Sequence, residues 1–216
     1  MGARARSTCS PLARVAPTVA VLGNHDYFGR RGAPDAIVDE LAAQGITVLR
    51  NELMPFEYGG EVGMIVGFED GIRGPGADVC GIVARMGEAK AQIVSVHEPD
   101  VAAHFPPRWA GGTLAGHIHG AQVRLSPRRH VDWVTWTHGD KRTSYPRGRV
   151  TVNGTPLYIN RRIGIARLPV RFAARPEAAV LALSHGSVDM HVRNDEGNPL
   201  PQASRHVTLF PSWPVR

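Results

Sequence analysis

The sequence is poor in cysteine and has no long hydrophobic run. Its two cysteines, Cys9 and Cys80, stand far apart and in no metal-binding spacing, so neither a disulfide framework nor a structural zinc site is indicated. No apolar stretch is long enough to span a membrane, and the basic stub formed by residues 1–10 is not followed by the apolar core of a signal peptide. We therefore expect a cytoplasmic or membrane-associated protein.

Acidic side chains are fewer than basic ones, with 19 Asp and Glu against 25 Lys and Arg and a formal net charge of +6. This excess favours anionic partners such as a phosphoester substrate, an acidic membrane surface or nucleic acid. The arginines are scattered through predicted loops and form no basic helix stripe or basic-aromatic motif, so nucleic-acid binding rests on charge alone. A solvated basic surface explains the same composition.

The 216 residues, 43% of them hydrophobic, suit one globular domain at residues 11–184 followed by a polar, poorly ordered tail at residues 185–216. Apolar runs predict strands at residues 19–22, 46–49, 93–96, 113–115 and 180–183, with hairpins at 56–68 and 150–159. Helical spacing and end signals predict helices at residues 34–45 and 78–87, and residues 126–149 read as a long loop.

Two imidazoles lie one residue apart in Gly116-His117-Ile118-His119-Gly120. The flanking glycines allow a sharp turn and a close approach to a ligand, and residues i and i+2 of an extended backbone lie on the same side. Because neutral imidazole is a common ligand of divalent metals, this pattern predicts a metal site. A polar turn without metal has the same composition, and that alternative stays open at this point.

Two further predicted strands end in polar residues. Residues 19–22 precede Gly23-Asn24-His25-Asp26-Tyr27, and residues 93–96 precede His97-Glu98-Pro99-Asp100. In open α/β sheets, ligands bind beyond the carboxyl ends of the strands, so Asn24, His25 and His97 are candidate site residues. An Asn-His pair at a strand end is also typical turn chemistry. His104 lies on no comparable strand end and is expected at the surface.

In this order, Gly-Asn-His-Asp, a lone histidine after a strand and Gly-His-x-His-Gly resemble the motifs of the calcineurin-like metallophosphoesterases. The segment from Ala115 to Val123 looks like the last metal motif of that family, and residues 160–164 and 168–172 look like its bacterial envelope-associated branch. The resemblance covers about residues 12–183. It implies an α/β fold in which two packed β-sheets form a sandwich flanked by helices.

The resemblance also implies a reaction and its residues. Family members hydrolyse phosphomonoesters or phosphodiesters with two divalent metal ions, of manganese, iron or zinc, that share a bridging hydroxide. Asn24, His97 and His117 match the ligands of one metal, and His119 matches a ligand of the other. His25 matches the residue that stabilises or protonates the leaving oxygen. Asp26 matches a residue that orients an imidazole rather than a direct ligand.

The sequence departs from the family before Gly23, where Asp-x-His and Gly-Asp-x-x-Asp belong. Residues 1–18 contain neither aspartate nor histidine, so the bridging carboxylate is missing there. Asp189-Met190-His191 would replace Asp-x-His only after a circular permutation, and Gly139-Asp140 lacks the second aspartate. We therefore expect a domain without its first strands, either truncated or degenerate, with a partial metal site. The alternative function is a non-catalytic binding or regulatory module with that partial pocket.

Overall fold

The computed structural model describes residues 11–27, 34–58, 60–89, 91–119, 144–145, 147–164, 171–172, 176–179, 182–184 and 187–189. These residues belong to two compact units, the first including the described residues up to His97 and the second those from Glu98 onward. None of the helices within the described ranges has the length and apolar character needed to cross a membrane.

The first unit alternates strands and helices. Its elements are β1 (Thr18–Ala20), α1 (Pro34–Ala42), β2 (Ile46–Val48), β3 (Glu52–Tyr58), β4 (Glu61–Gly67), α2 (Val79–Met86) and β5 (Ala91–Ser95). Strands β1 and β2 form a separate parallel pair, β3 and β4 form an antiparallel hairpin, and β4 pairs in parallel with β5. Parallel strands joined through helices confirm the predicted α/β class.

Local signals set the ends of the helices in this unit. Proline opens α1 at Pro34, where a missing amide costs no hydrogen bond, and Gly45 follows the helix with a φ of 78°. The side chain of Asp78 caps α2 by accepting a hydrogen bond from the Gly81 amide at 2.9 Å. Gly87 ends α2 with a φ of 58°. The predicted helices at residues 34–45 and 78–87 are therefore present, with shorter helical cores.

The core of the first unit consists of apolar side chains from the strands, from the residues that directly follow them and from α2. The almost completely buried side chains include Leu22, Val66, Phe68, Ile82 and Val94. A polar cluster of Glu69, Tyr27 and Arg50 borders this core. The buried Glu69 accepts hydrogen bonds from the Tyr27 hydroxyl and from Nε of Arg50. The same Arg50 pairs with Asp35 of α1 at 2.5 Å, which ties the start of that helix to the end of β4.

The second unit contains a short 3-10 helix (Pro99–His104) and the strands β6 (Ala110–Ala115), β7 (Gly148–Val152), β8 (Thr155–Ile159), β9 (Ala182–Ser184) and β10 (Ser187–Asp189). Strand β6 pairs in parallel with β8, and β7 pairs antiparallel with β8. The β7–β8 hairpin turns at Asn153 and Gly154, whose φ angles of 49° and 74° suit an Asn-Gly turn.

Two predicted segments differ from the structure. Residues 187–189 were placed in the tail but form β10, which pairs antiparallel with β9 through Val188 and Leu183. The predicted loop at residues 126–149 lies largely outside the described residues, and its last part already belongs to β7. His191 and Asp140, the alternative ligand candidates outside the three motifs, also lie outside the described residues.

Candidate metal centre

The turn after β1 places Asn24 in the interior and His25 at the surface. The Asp26 amide donates to the Gly23 carbonyl at 2.8 Å, and Oδ2 of Asp26 accepts from the Gly23 amide at 2.9 Å. These two bonds close the four-residue turn. Asn24 is 7% exposed, whereas the His25 side chain is exposed.

The His97 ring, directly after β5, packs on this turn. Its Nε2 atom lies 3.0 Å from the Oδ1 atom of Asn24, and both side chains are buried. Gly23 makes the approach possible, because a Cβ atom added there would lie 2.3 Å from Cε1 of His97. The missing side chain at position 23 is therefore a steric requirement of the Asn24–His97 pair.

Asn24 and His97 fit a divalent metal ion. Their facing atoms are an amide oxygen and an imidazole nitrogen, which bind transition metals in their neutral forms. These two atoms lie 3.0 Å apart, so one cation bound between them would contact both. Without metal, the same distance is a hydrogen bond from Nε2–H to Oδ1, so metal binding requires the ring proton to sit on Nδ1.

The His-x-His motif follows β6 as a tight turn. The Ile118 amide donates to the Gly116 carbonyl at 2.8 Å, and the φ angles of His117 and His119 are 68° and 56°. The prediction that the two histidines share one side of an extended backbone is therefore wrong. Because a left-handed conformation costs a non-glycine residue about 1–2 kcal/mol, contacts around the turn must hold both residues there.

His119 is buried and has a partner at each ring nitrogen. Its Nδ1 atom lies 3.3 Å from the Gly164 carbonyl, and its Nε2 atom lies 3.3 Å from Nη1 of Arg162. A carbonyl only accepts and a guanidinium only donates, so the proton sits on Nδ1 and Nε2 accepts. Burial, followed by the charge of Arg162, lowers the pKa of His119 to about 4. The imidazole is therefore neutral at pH 7.

Arg162 lies against the His-x-His turn from the loop after β8. A Cβ atom on Gly116 would lie 2.9 Å from Nε of Arg162, so the glycine gives the side chain room. The Arg162 backbone has a φ of 63°, and its amide donates to Oδ1 of Asn160 at 2.6 Å. His119 as placed does not fit a metal ligand, because the lone pair on Nε2 already accepts from this guanidinium.

Arg171 connects the two loops of the second unit. Nη1 donates to the His119 carbonyl at 3.2 Å, and Nη2 lies 3.1 Å from the carbonyls of Arg161 and Arg162 and also contacts that of Gly164. One guanidinium thus holds the backbone of the His-x-His turn to the backbone of the loop after β8. Burial lowers the pKa of Arg171.

Glu177 anchors the same loop from its other side. It is 8% exposed and accepts hydrogen bonds from the Tyr158 hydroxyl at 2.5 Å and from the Arg161 amide and Nε at 3.0 and 3.2 Å. Burial alone raises the pKa of Glu177, but the bonds from Arg161 and Tyr158 outweigh it, so the pKa is lowered. Burial and the Glu177 contact raise the pKa of Tyr158.

The structure thus pairs Asn24 with His97 in the first unit and sets His117 and His119 on one turn in the second. The carboxylate of Asp26 closes its own turn, and its role toward an imidazole stays a prediction, as do the ligand and catalytic roles of the histidines. Within the described ranges, no group of three or more His, Cys, Asp or Glu residues could hold a metal ion.

Sequence reasoning missed the contacts of Arg162 and Arg171 with the His-x-His turn. Both residues belong to segments that the family resemblance used, yet the basic charge was interpreted only in general, as favouring anionic partners or as a solvated surface. The available signal was position: Arg162 follows β8, the strand that pairs in parallel with β6, so its loop begins at the same sheet edge as the His-x-His turn.

The chain is similar to named phosphoesterases. It is 30% identical to the uncharacterized metallophosphoesterase YkuE of Bacillus subtilis over 165 residues, which are 76% of this chain and 55% of the relative. It is 29% identical to the phosphodiesterase YaeI of Escherichia coli over 178 residues, 81% of this chain and 61% of the relative. It is 24% identical to the uncharacterized metallophosphoesterase YkoQ of Bacillus subtilis over 158 residues, 73% of this chain and 57% of the relative.

The chain therefore spans a little more than half the length of these relatives. No family model and no solved structure matches it. The names of the relatives agree with the resemblance that the three motifs carry. The chain belongs to the calcineurin-like metallophosphoesterase family.

Proposed function

We propose that the chain is a metal-dependent hydrolase of phosphodiesters or phosphomonoesters. The observation that carries the proposal is the buried Asn24–His97 pair. The two residues follow different strands, and their uncharged ligand atoms, Oδ1 and Nε2, lie 3.0 Å apart. The names of the relatives support the reaction class, since one is called a phosphodiesterase and two are called metallophosphoesterases.

In this proposal Asn24 and His97 hold a divalent cation through Oδ1 and Nε2. When bound, such a cation supplies Lewis-acid stabilisation of negative charge on the phosphoryl group and makes a water molecule more acidic. Amide oxygen and imidazole nitrogen suit manganese, iron or zinc. The buried position of both side chains strengthens electrostatic interactions there, because little water screens them.

His25 is the general acid in the proposed reaction. Its exposed side chain lies next to Asn24 in the turn, where a bound ester can reach it. The imidazolium form donates a proton to the leaving oxygen as the phosphorus–oxygen bond breaks, and a neutral imidazole remains. An alkoxide needs this proton more than an activated phenolate does.

Hydrolysis of bis(p-nitrophenyl) phosphate by chelator-treated protein, with manganese, iron or zinc added back, tests the proposal. We expect no turnover without metal. Asn24→Ala and His97→Gln should each lower kcat/KM by about 100-fold or more, because each removes a metal ligand. His104→Ala removes an exposed imidazole from the 3-10 helix and should leave activity unchanged.

The same assay with an alkyl phosphodiester tests His25. His25→Ala should lower kcat on the alkyl ester by about 100-fold, the usual scale of general acid catalysis, and should lower it less on the aryl ester. Equal losses on both esters would show that His25 is structural. A protein that binds metal but hydrolyses neither ester with any of the ions would contradict the proposal and favour the binding or regulatory module.

A further inference from the structure

The His119 imidazole contacts the positively charged guanidinium of Arg162. Its Nδ1 atom donates to the Gly164 carbonyl, so Nε2 carries the lone pair that a metal would need. Nη1 of Arg162 lies 3.3 Å from that nitrogen and can only donate to it. A metal ion on Nε2 would have to displace a guanidinium of the same charge sign.

Arg162 is held in this position by its surroundings. A Cβ atom at position 116 would lie 2.9 Å from its Nε atom, so Gly116 leaves room for the side chain in this position. The Arg162 backbone takes a left-handed φ of 63°, and Arg171 binds its carbonyl oxygen at 3.1 Å. The left-handed φ and the Arg171 contact fix the main chain of Arg162, and the contacts with His119 and Gly116 place its guanidinium on the His-x-His turn.

We propose that Arg162 takes the position on His119 that the family resemblance assigns to a metal ion, and that its guanidinium binds phosphate. Both parts concern the second unit alone and are independent of catalysis. A guanidinium suits the task because its planar fork matches two phosphoryl oxygens and it stays charged at every working pH.

Nitrogen-15 NMR of the histidine rings during a zinc titration tests the first part. In the unmodified protein, the His119 ring should keep its Nδ1–H form and show no zinc-dependent shift. Arg162→Gly removes the guanidinium and suits the left-handed backbone, so this variant should fold and its His119 Nε2 signal should move with zinc. Arg149→Ala removes an exposed arginine from β7 and should behave like the unmodified protein.

Calorimetric titration with inorganic phosphate tests the second part, in metal-free protein. Arg162→Gly should weaken phosphate binding by about 10-fold or more, the scale of one lost charge-assisted hydrogen bond, and Arg149→Ala by less than about 2-fold. Arg162→Lys should fall between them, because it keeps the charge but loses the fork.

The outcomes separate this inference from the proposed function. A zinc-induced shift of His119 in the unmodified protein, at the concentration that shifts His97, would overturn the first part. Equal phosphate affinities in Arg162→Gly and Arg149→Ala would overturn the second. Neither measurement needs turnover, so an inactive protein with the expected NMR and phosphate results would refute catalysis and leave the Arg162 assignment standing.

Discussion

Arg171 should be the side chain on which the conformation of the His-x-His turn most depends. Its guanidinium donates to four backbone carbonyls, of His119, Arg161, Arg162 and Gly164. Nη2 has only two hydrogens for three of these carbonyls, so the four contacts amount to about three hydrogen bonds. A hydrogen bond from a charged donor contributes about 1.5 kcal/mol or more. In the variant, water can replace part of what the three bonds contribute, so Arg171→Ala should lower the free energy of unfolding by about 3 kcal/mol.

Urea and thermal unfolding followed by tryptophan fluorescence measure this loss. For a chain of this length, about 3 kcal/mol corresponds to a fall in Tm of about 6–12 °C. Amide exchange should accelerate at His117, Ile118 and His119, where left-handed residues lose their support. Arg149→Ala should change stability by less than about 0.5 kcal/mol. A loss below about 1 kcal/mol with unchanged exchange at the turn would refute the reasoning.

Two further predictions concern single positions. Gly23→Ala places a Cβ atom 2.3 Å from the His97 ring, so it should displace the ring and weaken metal binding at least about 10-fold by calorimetry, whereas Gly164→Ala enters open space and should not. The lowered pKa of Glu177 means that the folded state favours the carboxylate. Its stabilising contribution is therefore present above pH 4.5 and is lost as the pH falls through the lower folded pKa. In Glu177→Gln, the urea midpoint should depend less on pH across that window.

Much of the fold followed from local sequence signals. Apolar runs marked the strands, and Asp78 and Gly87 marked the ends of α2 because capping and left-handed termination are properties of single residues. The Asn153-Gly154 turn fixed a hairpin in the same way. Strand β10 was missed because three residues in a polar context carry no periodicity, and pairing with β9 provides what the local sequence lacks.

The candidate site could be predicted from the sequence only for residues that directly follow a strand. Asn24 and His97 were found because each directly follows an apolar strand, although the two strands belong to different sheets. The shape of the His-x-His turn was not predictable, since glycines on both sides do not show that the histidines themselves take positive φ. The contact of Arg162 with His119 joins residues 43 positions apart, and no local pattern encodes a pairing across that distance.

Charge explains why a metal ion and Arg162 compete for the same nitrogen of His119. Nη1 of Arg162 lies 3.3 Å from Nε2 of His119. A dication and a guanidinium about 4 Å apart repel by about 8 kcal/mol at an effective dielectric constant of 20. A metal ion can therefore bind this imidazole only when the guanidinium has moved away, and Arg162→Gly removes that repulsion.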